Sequence, residues 1–344
     1  MRVIFTAVLM TAHLIAGETA RETLLETLAG DWIARGVYTA TKLEVADHLR
    51  EGPLSLEELA SKCQADSASL ERLLRVLSSH GFFTEVKPQV FANNEASSLL
   101  AKGSPDSLHH LTLFYGEELH HTMGVLHPAI KDGRTAFELA FEDPPFTYFK
   151  NHPERGDLFH KAMKEKSRLV IDSLLNAYDF SRFPKVYDIG GGTGHFIQAL
   201  LQKEKSLEGV VFDLPEVIEK YRNAPSPRCH WIAGDFFTSI PEGGQLYFLK
   251  SILHDWDDAQ SVLLLKKCHQ AMHASSRLLI VEMILLPNGE APFADSMDLL
   301  MLAVTGGKER TLSSFEKILS EAGFTLERVI PTASEFSILE VKKA

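Results

Sequence analysis

An apolar run that ends in Asp188-Ile189-Gly190-Gly191-Gly192-Thr193-Gly194 and passes straight into a helical pattern from His195 restricts this chain more than any other feature. A strand, a bare-backbone turn and a helix in that order make the first unit of an open, mostly parallel sheet. The same texture repeats from Lys185 onward. Short apolar runs at 186–189, 209–212, 230–233, 245–249 and 277–285 alternate with helical stretches, as strands covered by helices on both faces do. Residues 325–330 and 336–341 read as a last pair of strands.

The loop alone admits several ligands. Its glycines strip side chains from a helix N-terminus and let a ligand approach the main chain. A dinucleotide fingerprint begun at Gly190 requires its third glycine at 195, where His195 stands. No Lys-Ser/Thr pair follows, which excludes a phosphate-cradling P-loop. Asp188, two residues before the first glycine, suits a ligand with a positive end rather than a pyrophosphate. The next strand ends in Phe212-Asp213-Leu214-Pro215, about 20 residues beyond the loop, where a carboxylate accepts from the hydroxyls of a ribose. The third ends in Gly234-Asp235-Phe236-Phe237, which puts an acceptor for an adenine amino group beside an aromatic ring. Each acid alone is equally well read as a helix cap. Three of them on successive strand ends, beside this loop, point to S-adenosylmethionine.

The fourth strand runs into Leu253-His254-Asp255-Trp256-Asp257-Asp258, at the sheet edge where open α/β folds bind their ligands. An imidazole there is the side chain best tuned to take a proton near neutral pH. The competing reading makes the aspartates caps of the next helix and His254 a passenger. Val281-Glu282-Met283 and Gly306-Gly307-Lys308-Glu309-Arg310-Thr311 each bring a carboxylate toward the same edge, and either would orient the imidazole and stabilise its protonated form.

Taken together, DIGGGTG, FDLPEVI, GDFF, LKSILHDWDD, VEMILLP and GGKERT occur in the order and spacing of a known family. From about Leu24 to its end the chain resembles the small-molecule O-methyltransferases of the plant caffeate and acetylserotonin type and their bacterial relatives. The resemblance implies a Rossmann-like methyltransferase domain, built on a seven-stranded, mostly parallel sheet, behind an N-terminal α-helical winged-helix domain that serves homodimerisation. It implies His254 as catalytic base flanked by Glu282 and Glu309. It implies cofactor contacts from Gly190, Asp213, Asp235, Phe236 and Lys250, alongside Asp188 and Gly192 of the loop. Phe159-His160-Lys161-Ala162-Met163 is similar to the family's aromatic-to-methionine helix, which lines the acceptor pocket with Phe159 and Met163 and reaches the cofactor near Ser167. Asp255, Trp256 and Met301 match further pocket positions. The chain is one residue shorter than the plant members before Gly306-Gly307, reading Ala303-Val304-Thr305, which leaves the acceptor contacts there unassigned. The division expected is an apolar segment at 1–20, a winged-helix-like dimerisation domain at 21–103, a helical linker and acceptor-pocket segment at 104–180, and the cofactor-binding catalytic domain at 181–344.

The N-terminal third fits that division. Ser55-Leu56-Glu57-Glu58 is a capping box, leucines at 70, 73, 74 and 77 make one apolar helical face, and two short β-prone runs follow at 82–86 and 90–92. A winged helix invites a DNA reading, but residues 42–95 hold six Lys/Arg against nine Asp/Glu, within a chain of net charge −11. A duplex reader brings positive charge to the phosphates, so nucleic acid is not an expected partner, nor is a membrane.

Cys63, Cys229 and Cys268 are far apart and make no CxxC pair, which argues against a zinc site or a disulfide framework. Residues 3–16 resemble the apolar core of a signal peptide, with Ile15 unsuited to cleavage; export would part the enzyme from a cytosolic cosubstrate, so a cytoplasmic location is expected. Glu117-Glu118-Leu119-His120-His121 has the Glu-x-x-His spacing of di-iron helices, yet lacks the second copy such sites require and reads as a solvated helical face. No metal is expected. Two rival functions keep the cofactor: an N-methyltransferase or drifted activity on the same fold, and a winged-helix regulator that senses S-adenosylmethionine.

Overall fold

The computed structural model describes residues 19–222 and 226–344; the signal-like run at 3–16 lies outside them. The chain divides between His120 and His121 into two compact units.

In the first unit, α1 (Ala20–Lys42) opens on a capping box of Thr19 and Glu22. The helical texture of 24–49 is interrupted where Glu44 takes a φ of 55°, and the chain restarts as α2 (Val45–His48). β1 (Leu54–Ser55) leads into α3 (Leu56–Cys63), capped reciprocally by Ser55 and Glu58. α4 (Ser67–Ser79) buries Leu70, Leu74 and Leu77, as their spacing requires. β2 (Thr84–Lys87) and β3 (Val90–Ala92) form a wing, with strand order β1-β3-β2. Then come α5 (Glu95–Ser98), α6 (His109–Phe114) and a π-helical turn at Tyr115–Leu119. In that turn Glu117 pairs with Lys42 at 2.7 Å and accepts from the Tyr38 hydroxyl, while Glu118 is buried. The paired glutamates therefore serve interior packing rather than the solvated face their composition suggests. α1 leaves Leu24, Leu28 and Trp32 exposed at one-turn spacing, Trp32 to 72%.

The second unit begins with α7 (His120–Gly124), α8 (Leu126–Asp132), α9 (Ala136–Phe141), α10 (Pro145–Asn151) and α11 (Pro153–Ala177). Seven strands follow: β4 (Lys185–Ile189), β5 (Glu208–Asp213), β6 (Cys229–Ala233), β7 (Leu246–Lys250), β8 (Arg277–Met283), β9 (Phe324–Pro331) and β10 (Phe336–Lys343). Between them lie α12 (His195–Lys203), α13 (Pro215–Tyr221), α14 (Asp258–Ala271), α15 (Pro292–Val304) and α16 (Leu312–Glu321). Their order is β6-β5-β4-β7-β8-β10-β9, and β10 alone runs opposite to the other six. This is the seven-stranded, mostly parallel sheet the sequence leads one to expect.

Period-two alternation divides the sheet's side chains between two cores. Val186 and Phe248 face α11 and α12, with Phe196 stacked on Phe248 at 4.1 Å. Tyr187 and Tyr247 face the other side, their rings 5.2 Å apart, against α14 and α16. The chain builds β5 and β6 to one side of β4, then returns to build β7 and β8 on the other. That reversal leaves a crevice beyond the carboxyl ends of β4 and β7. Among the described residues no helix is long and apolar enough to cross a membrane.

Candidate active site

The glycine loop forms one wall of the crevice. Gly190 takes a φ of 72°, and a Cβ there would come within 2.5 Å of Ile252 Cδ1, so both backbone conformation and close approach demand glycine. A Cβ at Gly192 would meet nothing within 4 Å; that stretch of main chain faces open space. α12 starts without a side-chain cap, which leaves its first N–H groups and positive dipole end turned toward the crevice.

Asp213 is joined to this loop directly. Its Oδ2 accepts from Gly192 N at 2.7 Å and its Oδ1 from Leu214 N at 2.7 Å. Burial raises its pKa, against the pull of those two N–H groups. Asp188 is 4% exposed, and burial carries its pKa to about 7, opposed by Lys250 and reinforced by Asp213. A buried acid in that state gains from a cationic ligand group. Asp235 stands at the end of β6 as expected, with one oxygen already used: Oδ1 accepts from Phe237 N at 2.8 Å. Its Oδ2 accepts a longer bond from Thr238 Oγ1 at 3.4 Å, which leaves that oxygen a lone pair for a ligand. Phe236 lies over the loop, near Gly190. Lys250 closes the far side, donating to Ser167 Oγ of α11 at 2.8 Å; burial lowers its pKa to about 8, opposed by Asp188.

His254 sits beyond β7 on a tight 3-10 turn, Leu253–Asp255, and is buried. Ser251 enters that turn with a φ of 53°, a left-handed conformation that costs a non-glycine residue about 1 kcal/mol or more. Three devices hold the turn in place. Glu282 Oε1 accepts from Ile252 N at 3.0 Å and Leu253 N at 2.8 Å. Lys308 N donates to the carbonyl of His254 at 2.9 Å, an approach open only because Gly307 has no side chain to overlap that carbonyl. Arg310, 1% exposed, donates to Leu253 O and Trp256 O at 2.8 Å each, to Ser261 Oγ at 3.0 Å and to Asp258 Oδ1 at 3.0 Å.

The imidazole is thereby presented one way round. Its Nδ1 lies 2.7 Å from Glu309 Oε1 and 3.7 Å from Glu282 Oε2. Glu309 is its direct partner; Glu282 mainly holds the backbone beneath it. Burial raises the pKa of Glu309 to about 7, with Lys166 opposing. Glu282 is also raised by burial, with His254 opposing. Asp255 is carried to about 6 by burial, again opposed by His254, and its Oδ1 stands 3.9 Å from His254 Nε2. The helix cap is Asp257, which accepts from Gln260 N at 2.8 Å. His254, Glu282 and Glu309 bring one ligand-type atom each within 4.8 Å of one another, among the described residues the one group with metal-like geometry. The donor set suits proton transfer better, because Nδ1 is hydrogen-bonded to one acid and the other acid already accepts two N–H groups.

Aromatic rings gather around Trp256, two residues beyond His254, and along α11. Trp256 stacks on Phe146 at 5.8 Å and meets Phe237 edge-on at 4.7 Å. Phe159 stacks on Phe149 at 4.6 Å. Met163 is partly buried on α11, and Met301 is buried on α15 among core residues. Sequence reasoning gives no role to Arg310, although it lies inside a motif singled out there. It also overlooks Asp298, whose Oδ1 takes the backbone N–H of Glu309 at 2.8 Å; nothing in the local pattern distinguishes that aspartate from a surface residue.

The family models for the O-methyltransferase domain and the O-methyltransferase dimerisation domain match residues 124–325 and 25–103. The chain is 38% identical over 325 residues to the phenazine O-methyltransferase of Lysobacter antibioticus, covering 93% of this chain and 95% of that one. It is 31% identical to the phenazine-1-carboxylate N-methyltransferase of Pseudomonas aeruginosa, covering 94% and 98%. The crystal structure of human N-acetylserotonin methyltransferase in complex with S-adenosylmethionine superposes with a TM-score of 0.89, at 27% identity, over 96% of this chain and 99% of that one.

Proposed function

The chain belongs to the S-adenosylmethionine-dependent O-methyltransferase family, and we propose that it methylates a phenolic hydroxyl of a small molecule with His254 as general base. It carries the family's dimerisation domain and acts as a homodimer, which accounts for the exposed apolar row on α1.

The observation that carries the reading is the orientation of His254. With Nδ1 held by Glu309 at 2.7 Å, Nε2 is the nitrogen left to accept a proton. S-adenosylmethionine, when bound, supplies a methyl group already activated by a positively charged sulfur. Asp188, Gly190, Gly192, Asp213, Asp235, Phe236, Lys250 and Ser167 would hold it, the acids taking its ammonium, ribose and adenine donors. The burial of Asp188 beneath the loop, which a cationic ligand group would offset, supports that fit. Phe159, Met163, Asp255, Trp256 and Met301 would wall the acceptor and exclude water. His254 takes the hydroxyl proton at Nε2 as the oxygen gains nucleophilicity, and Glu309 with Glu282 stabilises the resulting imidazolium.

One observation favours a second reading: a relative 31% identical over most of its length is an N-methyltransferase. An amine lone pair needs no base to become nucleophilic, so the two readings part at His254. Replacing His254 by Ala and following labelled methyl transfer to phenolic and indolic acceptors tests them. Loss of turnover with cofactor binding intact supports the hydroxyl; unchanged turnover sinks the base assignment.

The domain division we propose is 21–103 for dimerisation, 104–180 for the acceptor-pocket segment and 181–344 for the cofactor and the base. A cytoplasmic location is supported by three buried cysteines, all free, and by the cytosolic origin of the donor. Cell fractionation with an antibody to the chain checks it.

A further inference from the structure

Lys166 is a chamber side chain that the reaction above does not use. It lies on α11 beside Ser167, the residue that binds Lys250. Its Nζ reaches toward α15, to 3.8 Å from Met297 Sδ. The residue after Met297 is Asp298, which holds the backbone of Glu309. The ammonium therefore stands close to the segment that positions Glu309, and its charge acts on both Glu309 and Asp255.

Its partner there is a poor one, since a thioether is only a weak acceptor. Among the described residues Lys166 forms no ion pair, although the chamber holds Asp255, Glu282 and Glu309, and both Asp255 and Glu309 feel its charge. A lysine kept to neutralise those acids would sit against one of them. Lys250, by contrast, is engaged with Ser167. A partly buried ammonium facing sulfur lacks the acceptor that its desolvation calls for. Phe159, seven residues before Lys166 on α11, stacks on Phe149, and Trp256 beside His254 stacks on Phe146; such faces suit a flat ring.

We propose that Lys166 binds a carboxylate on the acceptor, so that the enzyme methylates aromatic hydroxy acids in preference to the same rings without the acid. The inference rests on the O-methyltransfer reading and adds the acceptor's chemical class. Labelled methyl transfer is measured on matched pairs: 3,4-dihydroxybenzoate against catechol, and a hydroxynaphthoate against the parent naphthol. The wild-type enzyme is expected to favour the acid by at least tenfold in kcat/KM. Lys166→Met should collapse that ratio at least tenfold, mainly through the KM of the acid, and Lys166→Arg should restore most of it. A fold defect would lower both members of a pair and leave the ratio unmoved, so an unmoved ratio overturns the inference, as does a wild-type preference for the neutral ring. A fall in kcat for acid and neutral alike, with a shifted pH profile, would instead make Lys166 a polariser of the hydroxyl and would equally overturn it. The same compounds titrated into the S-adenosylhomocysteine complex, read by tryptophan fluorescence, give binding without turnover. Absence of transfer to every hydroxyl refutes the O-methyl reading, while the effect of Lys166→Met on the binding ratio still decides the inference.

Discussion

The two sides of the crevice hold their acids by different means. On the donor side, Asp235 accepts from an N–H two residues on and Asp213 from that of Leu214, and the longest reach is the 21 residues from Asp213 back to Gly192. On the proton-transfer side, Glu282 reaches 29 and 30 residues back to the His254 turn, and Glu309 reaches 55. Contacts to the next residues form wherever a strand ends, and the one longer contact needs only the β4–β5 pair, so the donor side survives small distortions. A contact between distant segments exists only after the whole sheet has assembled, so the proton-transfer side is the more easily broken.

The sharpest break is His254→Ala, for which kcat should fall about 1,000-fold while the cofactor's Kd stays within about threefold of wild type; a parallel loss of cofactor binding would mean that the two sides are not separable. Next is Arg310→Met. It leaves the carbonyls of Leu253 and Trp256 without their donor, and should lower stability by about 3 kcal/mol and kcat with it, read from urea denaturation beside steady-state kinetics. Unchanged kcat would show that the turn holds itself. Asp213→Ala should raise the cofactor Kd by about tenfold to thirtyfold with little effect on the melting midpoint, since the strand it ends is intact; equilibrium dialysis measures it.

The smallest effect is a pH dependence. Burial raises the Glu309 carboxyl from 4.5 to about 7 in the native state, so folding favours its protonated form. The stability this contributes is complete below about pH 4.5 and is lost as pH rises through about 7. Relative to Glu309→Gln, the wild type should lose on the order of 1–3 kcal/mol between pH 4.5 and 8. A difference in urea midpoint that is flat, or that grows with pH, would contradict that sign.

The same contrast explains what could be read from the sequence. The strand ends were visible from period and turn residues, and with them Asp188, Asp213, Asp235 and the loop. His254 was visible as an imidazole after a strand, but its pairing with Glu309 rather than Glu282 was not. That choice depends on how Gly307 lets one segment slide under the His254 carbonyl, a fact of three-dimensional contact. Arg310 and Asp298 were hidden for the same reason. Each acts on a segment far along the chain, and each has a residue type that is equally at home on a surface. Between α1 and α2, composition gives no sign of the left-handed turn that the chain makes at Glu44. Glu117 reads as solvated because its partners Tyr38 and Lys42 lie more than seventy residues earlier, and the burial of Glu118 is equally invisible in the local pattern.

The state of Asp188 has a calorimetric consequence. A carboxyl that burial pushes well above the usual carboxylate range holds part of its proton in neutral buffer without ligand. A cationic ligand group settling beside it favours the anion and drives the remaining proton off. Cofactor binding should therefore release a fraction of a proton near neutral pH. The heat measured in phosphate and in Tris should differ by the ionisation enthalpies of the two buffers, and Asp188→Asn should make the two heats agree. The acid beneath the loop would then be a hydrogen-ion counter for occupancy of the donor site.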